Sequence, residues 1–154
     1  MIYTNEPANV FYVYLTAYRS INGYAINELL TKEMAARIKK YPGFYGSLIN
    51  QNVEGCYHEA GVGLPSVERT LVVKCTKLSQ VAELTRLACE DYDQDAVLQV
   101  NSQTHTAILN SLETVGEYPQ SYKQLKEETI GVFTKQDTGS EMYSIINGER
   151  WEVA

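Results

Sequence analysis

The sequence predicts an α+β fold in which strands and helices follow one another as β-α-β-β-α-β, with a β-rich extension at the C-terminal end. Runs rich in β-branched and aromatic residues recur at 10–18, 44–58, 67–75 and 96–100, and two apolar patterns of helical spacing separate them at 22–40 and 78–92. The length of 154 residues is that of one domain, which buries about two-thirds of its unfolded surface without staples. Residues 1–154 are therefore read as one domain, with a core over about 8–103 and an extension over about 104–154.

In the first strand, Phe11, Val13, Leu15 and Ala17 share one face, and Tyr12, Tyr14 and Tyr18 lie on the other, so both faces are expected to be covered. Over 22–40 the positions Ile26, Leu29, Leu30, Met34 and Ile38 mark an amphipathic helix, which Tyr41-Pro42-Gly43 stops. Strand character returns at 44–49, pauses in a loop at 50–52 and resumes at 53–58. Ala60-Gly61-Val62-Gly63-Leu64-Pro65 makes a tight connection to the strand at 67–75. Leu78, Val81, Thr85, Ala88 and Tyr92 then mark a second helix, and 96–100 is the last core strand. This is the order of split β-α-β, ferredoxin-like domains, with two helices over one sheet face. The tyrosine-bearing face is too apolar to stay wet, so a second copy packed sheet against sheet is expected to cover it. In the extension, 104–109, 129–134, 141–146 and 151–153 read as short strands and 118–126 as a short helix or loop, with turns at Asp137-Thr138-Gly139 and Asn147-Gly148.

The formal charge of -6 and the scatter of the 13 basic residues argue against nucleic acid as a partner. The opening lacks a basic segment before an apolar run, and no window approaches the ~20 apolar residues of a membrane span, so a cytoplasmic protein is expected. Cys56, Cys75 and Cys89 are an odd set without Cys-x-x-Cys spacing and read as small core residues. With only His58 and His105 besides, neither a metal site nor a cofactor is expected, and the phosphate-loop, dinucleotide, nucleophile-elbow and His-Glu-x-x-His motifs are absent. Twelve tyrosines against three phenylalanines and one tryptophan give large contact area with a polar tip, which suits a covered sheet or a pocket stacking an aromatic ligand.

The densest polar cluster runs over 55–63 and is followed by Glu68-Arg69. Two strands joined by a glycine loop bring Tyr57 and Glu68 toward one sheet end, where backbone N–H groups also approach. The same spacing fits a solvated hairpin with Glu68 and Arg69 as surface charges. Ser102-Gln103-Thr104-His105-Thr106 forms a second polar run after the last core strand.

Long blocks extend the reading. They are Glu6-Pro7-Ala8-Asn9-Val10-Phe11-Tyr12-Val13, Pro42-Gly43-Phe44-Tyr45-Gly46-Ser47, Gly55-Cys56-Tyr57-His58-Glu59-Ala60, Arg86-Leu87-Ala88-Cys89, Gln94-Asp95-Ala96-Val97-Leu98, Ser102-Gln103-Thr104-His105-Thr106-Ala107 and Gly148-Glu149-Arg150-Trp151. In these the chain resembles the small S-adenosylmethionine hydrolases, better described as lyases, that some bacteriophages express early in infection. Departures lie mainly in 22–33 and 112–138. The resemblance implies a PII-like homotrimer in the host cytoplasm, holding S-adenosylmethionine between subunits. It also implies that Glu68 and Tyr57 are catalytic, that Gly61 and Gly63 let backbone N–H groups approach a carboxylate, and that Gln103 and His105 are further substrate-binding candidates. The expected reaction is intramolecular cleavage to 5′-methylthioadenosine and homoserine lactone. Hydrolysis to homoserine, or a PII-like trimeric sensor that binds an adenine ligand without turnover, are the alternatives.

Overall fold

A computed structural model describes residues 10–57, 66–139 and 143–154, and of residues 56, 57, 66 and 67 the backbone alone. The expected connection at 60–65 lies outside the described residues. The first strand, β1 (Phe11–Leu15), is central: it pairs antiparallel with β3 (Ser66–Cys75) through Val13↔Val73 and with β4 (Val97–Asn101) through Val13↔Gln99. The hairpin partner of β3 is β2 (Ser47–Tyr57), so the order across the first four strands is β4-β1-β3-β2, all antiparallel. Two register shifts, between Leu48 and Asn50 and between Asn50 and Val53, carry β2 through the segment expected to be a loop. Bulges absorb the polar residues there without ending the strand.

Helix α1 (Tyr24–Lys40) ends where Tyr41-Pro42-Gly43 was expected to stop it, but a one-turn helix α2 (Pro42–Tyr45) follows and takes Phe44 out of the strand. Proline fits the first helical position because its missing N–H has no partner there to lose. Helix α3 (Leu78–Arg86) runs into a π-helical turn at Leu87–Asp91, beside which Tyr92 is buried. Both helices cover one sheet face, where Met34, Ile38, Val81 and Leu84 close over Phe11, Val13, Leu15, Leu71 and Val73. Two apolar residues of α1 expected in this core are outside it, since Ile26 is 52% and Leu29 66% exposed, and Leu78 at the start of α3 is outside it too at 60%. Asn27 and Thr31 occupy the buried stripe in their place. The first turns of α1 pack over a loop whose backbone polar groups need partners, and Asn27 supplies them.

The C-terminal segment is not an appendix to this sheet. The strands β5 (Thr106–Val115), β6 (Tyr122–Lys135), β7 (Tyr143–Ile146) and β8 (Glu149–Val153) complete a closed barrel in the order β1-β3-β2-β7-β8-β6-β5-β4. Residues 122–126, expected as helix or loop, belong to a long β5–β6 hairpin through Val115↔Tyr122 and Leu112↔Leu125. Pairing along its whole length outweighs the weak helical composition of this segment. At a bulge in that hairpin Gly131 has a φ of +145°, and a Cβ there would collide with the carbonyl of Ala154. The Asn147-Gly148 turn forms as expected, with both residues at positive φ joining β7 to β8.

Closure changes what covers the tyrosine face of β1. Tyr14 lies against Phe133 of β6, with ring centroids 5.2 Å apart, and Phe133 stacks at 5.6 Å on Trp151 of β8. With Leu98, Val100 and Ala107 they form a second core inside the barrel. The expected cover for Tyr14, the sheet of a second copy, is thus supplied by the chain's own C-terminal strands. An eight-stranded barrel is just wide enough to be filled by side chains or to hold one small ligand. Phe133→Ala is expected to cost about 3–5 kcal/mol, read as a lowered midpoint of denaturant unfolding.

Candidate active site

The loop after β1 folds back onto the start of α1 and is fixed by side chains. Asn27 accepts from the Arg19 N–H at 3.0 Å and donates to the Arg19 carbonyl at 3.1 Å, mimicking a strand partner. Thr16 Oγ1 donates to the Arg69 carbonyl at 2.8 Å and accepts from the Tyr18 N–H at 3.1 Å, which joins the loop to the start of β3. Gln94 donates to the Tyr18 carbonyl at 2.9 Å.

These ties converge Tyr18, Glu28, Asn52 and Arg69 from four segments. The Tyr18 hydroxyl donates to Glu28 Oε2 at 2.5 Å, and Arg69 Nη2 pairs with Glu28 Oε1 at 2.9 Å while its Nη1 donates to Asn52 at 3.1 Å. Both oxygens of Glu28 are thereby engaged. Beside this network a depression of about 330 Å³ is bounded by Tyr18, Tyr24, Asn52, Glu54, Glu68 and Arg69. A second of about 450 Å³ shares Asn52 and Arg69 and extends past Glu28 and Lys32. Their described lining residues include three acidic residues, Glu28, Glu54 and Glu68, against two basic ones, Lys32 and Arg69, and Glu28 is already paired with Arg69.

Burial pushes the Tyr18 phenol up to about 12, and the hydrogen bond to Glu28 adds to it. Glu68 is 6% exposed and pairs in register with Gly55. Alternation along β3 puts Arg69 in phase with Leu71 and Val73 on the helix-covered face, and Glu68 in phase with Thr70 and Val72 on the other. Glu68 is therefore not the surface charge that spacing alone permitted.

Tyr57 pairs with Ser66, two residues along the hairpin from the Gly55↔Glu68 pair, so the backbone brings Tyr57 and Glu68 to one sheet end as expected. The Tyr57 side chain, Gly61 and Gly63 lie outside the described residues. Gln103 and His105 do not join them within one chain. They occupy the β4–β5 turn, where the Ser102 N–H donates to the Val10 carbonyl at 3.0 Å, at the opposite end of β1 from Glu68. Sequence reading missed Tyr18, Glu28 and Asn52 as site residues. Tyr18 was read as the end of a strand, and Glu28 carries no signal beyond that of a polar helix face.

Residues 13–154 match the sequence profile of the S-adenosylmethionine lyase family. The chain belongs to that family. The S-adenosylmethionine lyase of Enterobacteria phage T3 is 35% identical to it over 157 residues, covering 99% of each chain. This lyase-family profile takes in Tyr18, Glu28, Asn52, Glu68 and Arg69 together with the barrel strands from Val13 onward.

The Tyr18 shift has a sign that can be tested. Tyr18 and Tyr92 are both raised from 10.0 to about 12, in each case first by burial and then by a hydrogen bond to a glutamate, so the protonated phenols stabilise the native state. That contribution is complete below about pH 10, where unfolded tyrosine begins to titrate, and is lost as pH rises through about 12. The denaturation midpoint is expected to fall across this window. Glu28→Gln removes an anion that holds the Tyr18 proton, so carbon-13 NMR of labelled tyrosine is expected to find Tyr18 ionising at lower pH than in the parent.

Proposed function

We propose that this enzyme cleaves S-adenosylmethionine by intramolecular displacement, with Glu68 and Tyr57 as its catalytic residues. A methionyl carboxylate oxygen forms a bond to the γ-carbon, the carbon–sulfur bond breaks with its electron pair returning to sulfur, and 5′-methylthioadenosine and homoserine lactone result. No proton moves in that step. The observation that carries the reading is the buried Glu68 in an acidic, tyrosine-lined depression, in a chain of the S-adenosylmethionine lyase family.

The charges of sulfonium and carboxylate cancel as the reaction proceeds. A carboxylate pressed against the sulfonium would hold the ground state more tightly than the transition state, so Glu68 serves catalysis best by holding a polar group, such as the ribose diol, that keeps its character throughout. The attacking carboxylate in turn must not be neutralised. Arg69, which could do so, is occupied by Glu28 and Asn52. Tyr18, with its phenol raised to about 12, stays neutral near pH 7 and presents a ring face to the cation rather than a base. What remains for the protein is to fold the methionyl tail into attack geometry, an effect worth up to about 7–11 kcal/mol.

The strand order β4-β1-β3-β2 with α1 and α3 on one face supports reading the core as a ferredoxin-like, PII-like module. We read the active assembly as a homotrimer with substrate between copies, in which Gln103 and His105 reach a Glu68 site only from a neighbour. Support comes from the exposed apolar residues Ile21, Tyr24, Ile26 and Leu29 in and just before α1, of which Tyr24 lines the depression and which a lone chain leaves wet. No helix among the described residues is long and apolar enough to cross a membrane, and we place the enzyme in the host cytoplasm, where its substrate is.

Glu68→Gln is expected to lower turnover roughly 10²–10³-fold with an unchanged thermal melt, and Tyr57→Phe to lower it less. In heavy-oxygen water the early product is expected to be unlabelled lactone, and label in the homoserine side-chain hydroxyl would refute the intramolecular step. Recovery of intact substrate would identify a sensor. Light scattering at micromolar concentration is expected to give a trimer that Leu29→Glu shifts toward monomer, and a monomeric parent would overturn the assembly.

A further inference from the structure

The end of the helical layer away from Glu68 carries apolar side chains in the open. Tyr41 is 53%, Phe44 52% and Leu78 60% exposed, placed just after α1, in α2 and at the start of α3. Lys74, in register with Ser47 at the start of β2, stands six residues from Glu68, about 20 Å of strand. The patch is therefore remote from the depressions described above.

Its scaffold is fixed. Gly46 has a φ of +96°, and a Cβ there would meet the Lys74 carbonyl oxygen at 2.7 Å, so the end of α2 is seated directly against β3. The Cys75 thiol donates to the Tyr45 carbonyl at 3.6 Å, and Phe44 stands edge-on to the buried Tyr45 ring with centroids 4.9 Å apart. Gln80 ties α2 to α3, donating to the Gly43 carbonyl at 3.2 Å and accepting from the Thr76 N–H at 2.9 Å. A ring held in place before anything covers it loses little freedom on binding.

Charge selects what covers it. Residues 34–53 and 70–82 contain no Asp or Glu, yet they carry Arg37, Lys39, Lys40, Lys74 and Lys77 in a chain of net charge -6. Arg37 is paired with Asp91 at 2.7 Å. Lys39, Lys40 and Lys77 are exposed, and among the described residues no carboxylate pairs with them, while Lys40 lies over the Tyr41 ring at 5.6 Å. Exposed apolar side chains among unpaired lysines are complementary to carboxylates interspersed with apolar side chains. A phosphate backbone would use the lysines and leave Phe44 and Leu78 wet, and an extended anionic surface would meet the repulsion of the whole chain. We propose that Tyr41, Phe44 and Leu78, with Lys39, Lys40 and Lys77 around them, form a docking surface for an acidic segment of another protein that sets apolar side chains among its carboxylates.

A fluorescently labelled copolymer of glutamate and tyrosine is the probe, read by anisotropy against the full chain. Saturable binding that weakens as salt is raised is expected, with polyglutamate bound at least about tenfold more weakly for want of rings. Phe44→Ala is expected to bring the copolymer down to the level of polyglutamate, and the double variant Lys40→Glu, Lys77→Glu to abolish binding of both. All the replaced residues are exposed and far from Glu68, so turnover of S-adenosylmethionine is expected to stay at the parental rate. If the double variant does not fold, Phe44→Ala keeps the test. No saturable binding of the copolymer, equal binding of polyglutamate, tighter binding of duplex DNA or of phosphatidylserine vesicles, or unchanged binding in Phe44→Ala would each overturn the proposal.

Discussion

The strand Phe11–Leu15 pairs with β3 along its whole length and with β4 from Phe11 to Tyr14, and the rest of the chain is arranged around it. A central strand leaves no main-chain group for solvent, so its ends are where polar function can gather. At one end Thr16 and the loop to α1 take hold of Arg69, and at the other Val10 accepts the turn of β4 into β5. Among the described residues, two depressions lie toward the Arg69 end and the aromatic barrel mouth lies at the other.

Closure of the barrel makes that division possible. In an open four-stranded sheet the face bearing Tyr12 and Tyr14 would have to be covered by another molecule. Here Phe133 and Trp151 arrive from β6 and β8 and cover Tyr14 within the chain. On the helical side Ile26 and Leu29 are exposed because Asn27 and Thr31 took the buried stripe of α1. The exchange serves the site. A leucine at position 27 would pack as well, but it would leave the N–H and carbonyl of Arg19 unpaired and the Tyr18 loop without an anchor.

Elements whose local pattern and tertiary role agree were legible in the sequence. The alternation of β1, the stop of α1 near Pro42, the β2–β3 hairpin that brings Tyr57 toward Glu68 and the Asn147-Gly148 turn follow from periodicity and turn chemistry alone. The segment 122–126 was not legible, because its two lysines and glutamine state no preference and only pairing with β5 decides it. Nor was the partner of Arg69. Glu28 lies 41 positions earlier on a helix whose polar face gives no sign of which charge will meet the sheet. Pattern along a chain carries local geometry, whereas an ion pair across elements depends on how the elements dock.

The distribution of charge also accounts for how few ionisable groups such an enzyme needs. A reaction in which the substrate's own anion displaces its own cationic leaving group asks for neither a base nor an acid. Among the described lining residues the depression by Glu68 is acidic, whereas the barrel mouth carries no Asp, Glu, Lys or Arg. In the proposed reaction, a depression whose Arg69 is tied to Glu28 would leave the attacking carboxylate its charge.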